Sequence, residues 1–207
     1  MNQTYLTPER IRWLHYKSVR VRLSPKYISI ESMEIWGGQY FSRTGWCAHA
    51  PGDATDAWIG ENFRKALVSS EYFNKPEVPR LDREAVAAMK EVSNRRRLTF
   101  WDDIARSYSY KDIDQAGRRC DLVFSSWHYL VDDFVTLKAS KRLAGSHCAW
   151  PEDRKYADKR INVLLSISDE ELGYAVRVAL SRCEAPGRQK INTPPELLPL
   201  PWGEQKA

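Results

Sequence analysis

From Ser168 to Cys183 the chain reads S-D-E-E-L-G-Y-A-V-R-V-A-L-S-R-C. Ser168 followed three positions later by Glu171 is a capping box, in which each side chain satisfies an amide that a helix start leaves unbonded. Leu172, Val176, Ala179, Leu180 and Cys183 recur at the spacing of one helical stripe, with Glu170, Arg177 and Arg182 off it. Pro186 and Gly187 mark the stop. The stretch predicts an amphipathic helix laid on a core.

The same pattern stands far upstream. Residues 56–67 (D-A-W-I-G-E-N-F-R-K-A-L) match residues 169–180 (D-E-E-L-G-Y-A-V-R-V-A-L) in register, 113 positions apart, sharing Asp, Gly, Arg, Ala and Leu. A common apolar period accounts for Ile59 against Leu172 and Phe63 against Val176. It does not account for a glycine in the first turn of both, which costs a helix about 1 kcal/mol relative to alanine. The two helices, expected near residues 56–73 and 168–184, are therefore predicted to make the same close approach to the body of the fold.

With 207 residues, 43% of them apolar, and eight tryptophans, the chain can bury one substantial core. A single domain is expected over residues 1–190, with a proline-rich tail at 191–207 carrying Pro194, Pro195, Pro199 and Pro201. No run of about 18 apolar residues suggests a membrane span. The first twelve residues lack the basic-then-apolar order of a secretory signal. Four scattered cysteines (Cys47, Cys120, Cys148, Cys183) fit a reduced, cytoplasmic protein. The net charge of +5 permits an anionic partner without demanding one.

Taken in order, Thr7-Pro8 opens a short helix through His15. Val19, Val21 and Leu23 alternate with Arg20 and Arg22 as in a half-buried strand. A second strand follows at 27–30, and Gly37-Gly38 closes a hairpin between 34–36 and 39–42. A loop at 44–53 leads to the first echoed helix, and a proline-bearing link at 74–80 to another at 82–97. Short helical turns are expected at 101–106 and 112–119. Residues 120–124, 127–131 and 134–139 form a second meander, and 161–167 a last strand. The fold class is α+β: antiparallel sheets in two meanders, packed with several helices.

Candidate chemistry is sparse. Cys47-x-His49 and His147-Cys148 are the close metal-ligand groupings, and their spacing matches no zinc finger or ribbon. Asp102-Asp103 and Asp132-Asp133 are adjacent pairs whose side chains diverge, which suits turns and caps better than a carboxylate dyad. Phosphate-binding, dinucleotide-binding and nucleophile-elbow motifs are missing from the sequence. The chain is accordingly read as a binding protein without metal, cofactor or catalytic residues. Its surplus tryptophans, many at element ends, are the usual anchors of protein interfaces.

The C-terminal half carries a resemblance. Tyr110-Lys111-Asp112, Arg119-Cys120, a strand pair, Val135-Thr136-Leu137-Lys138, Trp150 and then Leu172-Gly173-x3-Arg177-x-Ala179-Leu180-Ser181-Arg182-Cys183 resemble the CdiI immunity proteins of bacterial contact-dependent growth inhibition systems. Ala66-Leu67-Val68-Ser69-Ser70 matches an upstream helix end of that family, whereas Lys138-Ala139-Ser140 departs from its Pro-x-His. The resemblance spans roughly residues 56–183. It implies a cytoplasmic protein that binds the C-terminal toxin domain of the cognate CdiA adhesin as a 1:1 heterodimer, the toxin being a nuclease, with neither membrane nor nucleic acid as partner. Toxin contacts are expected at Trp101, Asp102, Asp103, Trp127, His128 and Tyr129. The alternative reading is a basic single-stranded nucleic-acid-binding module.

Overall fold

A computed structural model describes residues 16–36, 38–72, 82–118, 120–129, 131–143 and 146–184. Among these residues nine strands and four helices follow in the order β1 (Val19–Leu23), β2 (Tyr27–Ile35), β3 (Gln39–Phe41), β4 (Cys47–Pro51), α1 (Asp56–Val68), β5 (Glu71–Tyr72), α2 (Arg83–Ser107), α3 (Ile113–Arg118), β6 (Asp121–Ser126), β7 (Phe134–Leu143), β8 (Ser146–Ala149), a 3-10 segment (Arg154–Lys159), β9 (Arg160–Leu164) and α4 (Asp169–Ser181). The strands run β3-β2-β1-β6-β7-β8, with β4 and β5 also on β2 and β9 on β7. The two expected meanders are thus joined through the antiparallel pair β1–β6. The fold is α+β.

The chain is folded as two copies of one motif. In each, a long central strand (β2 or β7) carries its meander neighbour (β1 or β6), a short partner (β3 or β8) and a strand that leads into a helix (β4 or β9). After each helix the chain returns to the central strand in parallel, at Glu34↔Glu71 and at Lys141↔Glu184.

The echoed helices are the centre of this symmetry. They approach each other closely, a point on which the expectation of equivalent contacts with the body of the fold is corrected. A Cβ on Gly60 would lie 1.7 Å from the Asp169 carbonyl oxygen, and one on Gly173 would lie 1.8 Å from that of Asp56. Only glycine leaves room for the opposing backbone. Four residues on, Arg64 donates to Asp169 (2.8 Å) and to the carbonyls of Leu165 (2.7 Å) and Ile167 (2.9 Å). Arg177 donates to Asp56 (2.6 Å) and to the carbonyls of Gly52 and Ala54. Every partner of one arginine lies 113 positions from the matching partner of the other. Each guanidinium fork therefore clamps the loop that enters the opposite helix, beside the capping residues Thr55 and Ser168.

Two cores result. Val19, Val21, Leu23, Ile28, Ile30, Val123, Val135, Leu137, Ile161 and Val163 form the sheet face under α1 and α4. On the opposite face, Tyr27 packs against Trp101, Ile104, Ala105 and Ala116 from α2 and α3. Strand β2 is buried at every position because helices cover both of its sides.

Several element boundaries differ from expectation. The segment read as a loop at 44–53 contains β4, whose pattern Cys-Ala-His-Ala-Pro lacks the β-branched residues that signal strands. Helix α1 stops at Val68 rather than 73: the Ser70 hydroxyl donates to Met33 O (2.7 Å) and accepts from Ser18 N (2.9 Å), drawing the chain into β5. Helix α2 runs on through Trp101 to Ser107. The expected strand at 127–131 is replaced by an isolated bridge, Lys17↔Trp127, and a turn closed onto His128 O. Strand β9 ends at Leu164, because the carbonyls beyond it go to Arg64. The expected helix at 7–15, the link at 74–80 and the proline-rich tail lie outside the described residues.

Candidate partner-binding surface

The strand registers align one row of side chains across the outer sheet face, away from α1 and α4. Cys47, Glu31, Arg20, Phe124, Lys138 and Arg160 are consecutive partners on β4, β2, β1, β6, β7 and β9. Over the first half of this row lies α2: Arg96 reaches Cys47 Sγ (3.4 Å) and the Gly45 carbonyl (2.6 Å), and Ser93 donates to Phe41 O (2.7 Å). Over the second half no helix of the described residues packs. Helix α4 packs on β6, β7 and β9 from the core side, where its buried residues join theirs, and the 3-10 segment packs on β7 and β9.

That open half is basic. The Arg20 guanidinium lies 5.7 Å from the Phe124 ring centre, and its Nη2 is 3.5 Å from Gln39 Oε1. Lys138 and Arg160 share Glu152, at 3.8 and 2.8 Å, on the exposed rim. Burial pushes the pKa of Arg20 down, against the opposing pull of Glu31. Burial, then repulsion from Arg160, likewise lowers that of Lys138. Glu31 itself is engaged by Arg22 (3.0 Å) and the Ser29 hydroxyl (3.3 Å).

The residues singled out in the sequence fall into two separate groups. Trp101 is not an exposed anchor: at 4% exposure it belongs to the second core, edge-on to Tyr27 and beneath Arg22. Asp102 and Asp103 are exposed on α2, Asp102 paired with Arg106 (3.1 Å) and Asp103 with His49 (3.0 Å). Trp127, His128 and Tyr129 sit at the far end of β6, half-buried. The Trp127 indole donates to Asp132 O (2.8 Å), and Tyr129 lies beside it and beneath Lys17. Since Arg22 pairs with Leu122 and Lys17 with Trp127, the groups stand five residues apart along the strands, roughly 16 Å. The sequence reading missed the cationic row, because residues 20, 124, 138 and 160 meet only through register.

The family model for CDI immunity proteins, CdiI, matches residues 17–183. The chain belongs to this family. The match takes in both halves of the duplicated fold and leaves the two ends of the chain outside it. A solved CdiA-CT/CdiI toxin and immunity complex from Yersinia pseudotuberculosis includes a chain with the same fold, at TM-score 0.66 and 17% identity, covering 83% of this chain and 99% of that one. A protein of unknown function from Neisseria meningitidis, NMB0488, matches at TM-score 0.61 and 17% identity over 82% and 96%. No curated protein matches the sequence.

The CdiI fold holds the cysteines and histidines apart. Cys47 and His49 lie on β4 and Cys148 and His147 on β8, at opposite ends of the sheet, so the two pairs cannot share an ion. Among the described residues no group of three metal-ligating side chains converges. His49 bridges Asp103 and the Tyr108 hydroxyl (3.1 Å), and His147 reaches Ser140 Oγ (3.0 Å) and Cys120 Sγ (3.9 Å). The Cys120 thiol is fully buried, and burial raises its pKa against the pull of Arg22, which leaves a poor nucleophile.

One open groove of about 720 Å³ lies between α1, α2 and the 44–47 turn. Its apolar parts are Trp46 (43% exposed) and Val68 (62% exposed). The Trp46 indole donates to Asn62 Oδ1 (2.9 Å) and lies under Lys65. Two of the groove's cations are paired within it, Lys65 with Glu61 (2.7 Å) and Arg64 with Asp169, while Arg96 is held by the Gly45 carbonyl.

Proposed function

We propose that this chain is an inhibitor rather than an enzyme, and that it neutralises the C-terminal toxin domain of its cognate CdiA adhesin by forming a 1:1 complex in the cytoplasm of the producing cell. Membership of the CDI immunity family carries this reading. The toxin is taken to be a nuclease, as the family resemblance implies. The docking region is assigned to the open outer face of the second half together with the β6–β7 turn. Three of the sequence-expected contacts, Trp127, His128 and Tyr129, border it there. Asp102 and Asp103 lie on the helix that covers the other half.

Calorimetric titration into the cognate toxin domain tests the proposal. Nanomolar 1:1 binding, about −12 kcal/mol, with loss of toxin activity is the expected outcome. Lack of binding, or binding that leaves the toxin active, would overturn it.

A further inference from the structure

The second-half face has a specific chemistry. Directly opposed like charges destabilise a sheet, yet Lys138 and Arg160 are register partners, and Arg20 stands in the same row two strands away. Three cations thus span about 15 Å at the usual strand spacing. Among the described residues, the carboxylates paired with or nearest to them are Glu31 and Glu152. Glu31 is committed to Arg22 and Ser29, and Glu152 sits exposed on the rim, divided between Lys138 and Arg160. Arg20 Nε is buried without a hydrogen-bond partner among the described residues.

The duplicated fold supplies an internal comparison. Lys138 and Arg160 occupy the positions that Glu31 and Cys47 hold in the first half, as the matching registers β7–β9 and β2–β4 show. There an element of the chain, α2, lies across the row and places Arg96 against it. On that side the cover brings a cation, Arg96, and the row beneath it holds Cys47 and Glu31. On the other side the charges are reversed, and Lys138 and Arg160 stay half-exposed with Glu152 at their rim rather than beneath a long helix.

Building on the proposed toxin binding, we infer that this face reads carboxylates: an acidic segment of the toxin lies across β6, β7 and β9 and pairs with Arg20, Lys138 and Arg160 around Phe124. A protein partner suits the face better than a nucleic acid. Base stacking needs a free aromatic platform, whereas Phe124 lies under Arg20 and Trp127 packs against the core.

The test uses the full chain and the cognate toxin domain. Reversing Lys138→Glu and Arg160→Glu together is expected to weaken binding by about 100-fold or more, as loss of desolvated charge pairs does. The neutral pair Lys138→Gln and Arg160→Gln is expected to weaken it about 10-fold and to flatten its salt dependence. Retained melting temperatures show which variants are folded, and the neutral pair decides the matter if the reversal does not fold. Trp46→Ala, in the groove at the other side, is expected to bind normally. Normal binding by the charge variants, with loss in Trp46→Ala, overturns the inference while leaving toxin neutralisation intact. Salt-sensitive capture of a labelled 20-nucleotide single strand, abolished by the reversal while toxin binding is untouched, overturns it in favour of nucleic acid. Failure of the unsubstituted chain to bind the toxin removes the proposed function, and this inference with it.

Discussion

Replacing Gly60 by alanine tests whether the crossing of α1 and α4 organises the fold. In an ordinary helix interior the change is favourable by about 1 kcal/mol. Here the new methyl group would stand 1.7 Å from the Asp169 carbonyl oxygen, with two further Asp169 backbone atoms within 2.8 Å. That is roughly 2 Å short of an ordinary contact, and the obstacle is backbone that cannot rotate aside. The helices must separate, which also pulls Arg64 and Arg177 from the loops they clamp. Overpacking costs about 1–3 kcal/mol, and each strained charge-assisted hydrogen bond adds about 1.5–3 kcal/mol if lost. After the gain in propensity, a net destabilisation of about 2–4 kcal/mol remains. For a chain of this size it appears as a melting temperature lowered by roughly 5–15 °C. Gly117→Ala in α3 is the matched control, because a Cβ there meets nothing within 4 Å. It should leave stability unchanged or raise it by up to about 1 kcal/mol. Urea denaturation of both variants gives the comparison, and a Gly60→Ala protein as stable as the parent would refute the argument.

Other expectations follow from the same geometry. Arg177→Lys, which keeps the charge but loses the fork, should lower stability by about 1.5–3 kcal/mol; a double-mutant cycle with Asp56→Asn should recover most of that as coupling. Trp101→Ala should cost about 3–5 kcal/mol by emptying the second core, visible as a lower urea midpoint. A thiol reagent should label Cys148 rapidly and leave Cys120 and Cys183 protected until urea is added, since the first is exposed and the other two are buried. Burial raises the Cys183 thiol to about 12 from its ordinary value of 9.0. Its folded pKa lies above the unfolded one, so its contribution is complete below pH 9 and falls as pH rises toward 12, by about 1.4 kcal/mol per unit. Urea midpoints between pH 8 and 11 should decline, and more shallowly in Cys183→Ala.

How much of this was legible in the sequence depends on the range of the interaction. The capping box at Ser168 and Glu171 is a local signal, and both of its reciprocal hydrogen bonds form. The alternation in β1 and the turn at Gly38 are equally local. The echoed helices were recognisable because glycine is costly inside a helix, and that cost is offset by something specific. What offsets it was not legible: the contact of Gly60 with Asp169 joins residues more than a hundred positions apart. Strand β4 escaped because alanine, histidine and proline are weak strand formers, held there by pairing with β2. Trp101 looked like a surface anchor because it was placed at an element end, beside the acidic Asp102 and Asp103. On a helix, adjacent residues point about 100° apart, so one buried ring among exposed carboxylates is ordinary.

The duplication separates what holds this protein together from the face proposed to meet a partner. The inner sheet face and the two crossing helices are equivalent in the two halves, down to the partners of Arg64 and Arg177. A change there is answered symmetrically and costs stability. The outer faces have diverged. In the first half Tyr27, Ser29 and Glu31 lie beneath α2 and α3, whereas in the second Thr136 and Lys138 stay half-exposed beside Arg160 and Asn162. Thr136 and Asn162 hydrogen-bond to each other (2.9 Å), so this face is ordered without a covering helix. Substitutions along it need not unsettle the crossing of α1 and α4 on the other side of the sheet. If the outer face of the second half is the docking surface proposed above, its side chains can change while the paired helices on the other face keep the fold.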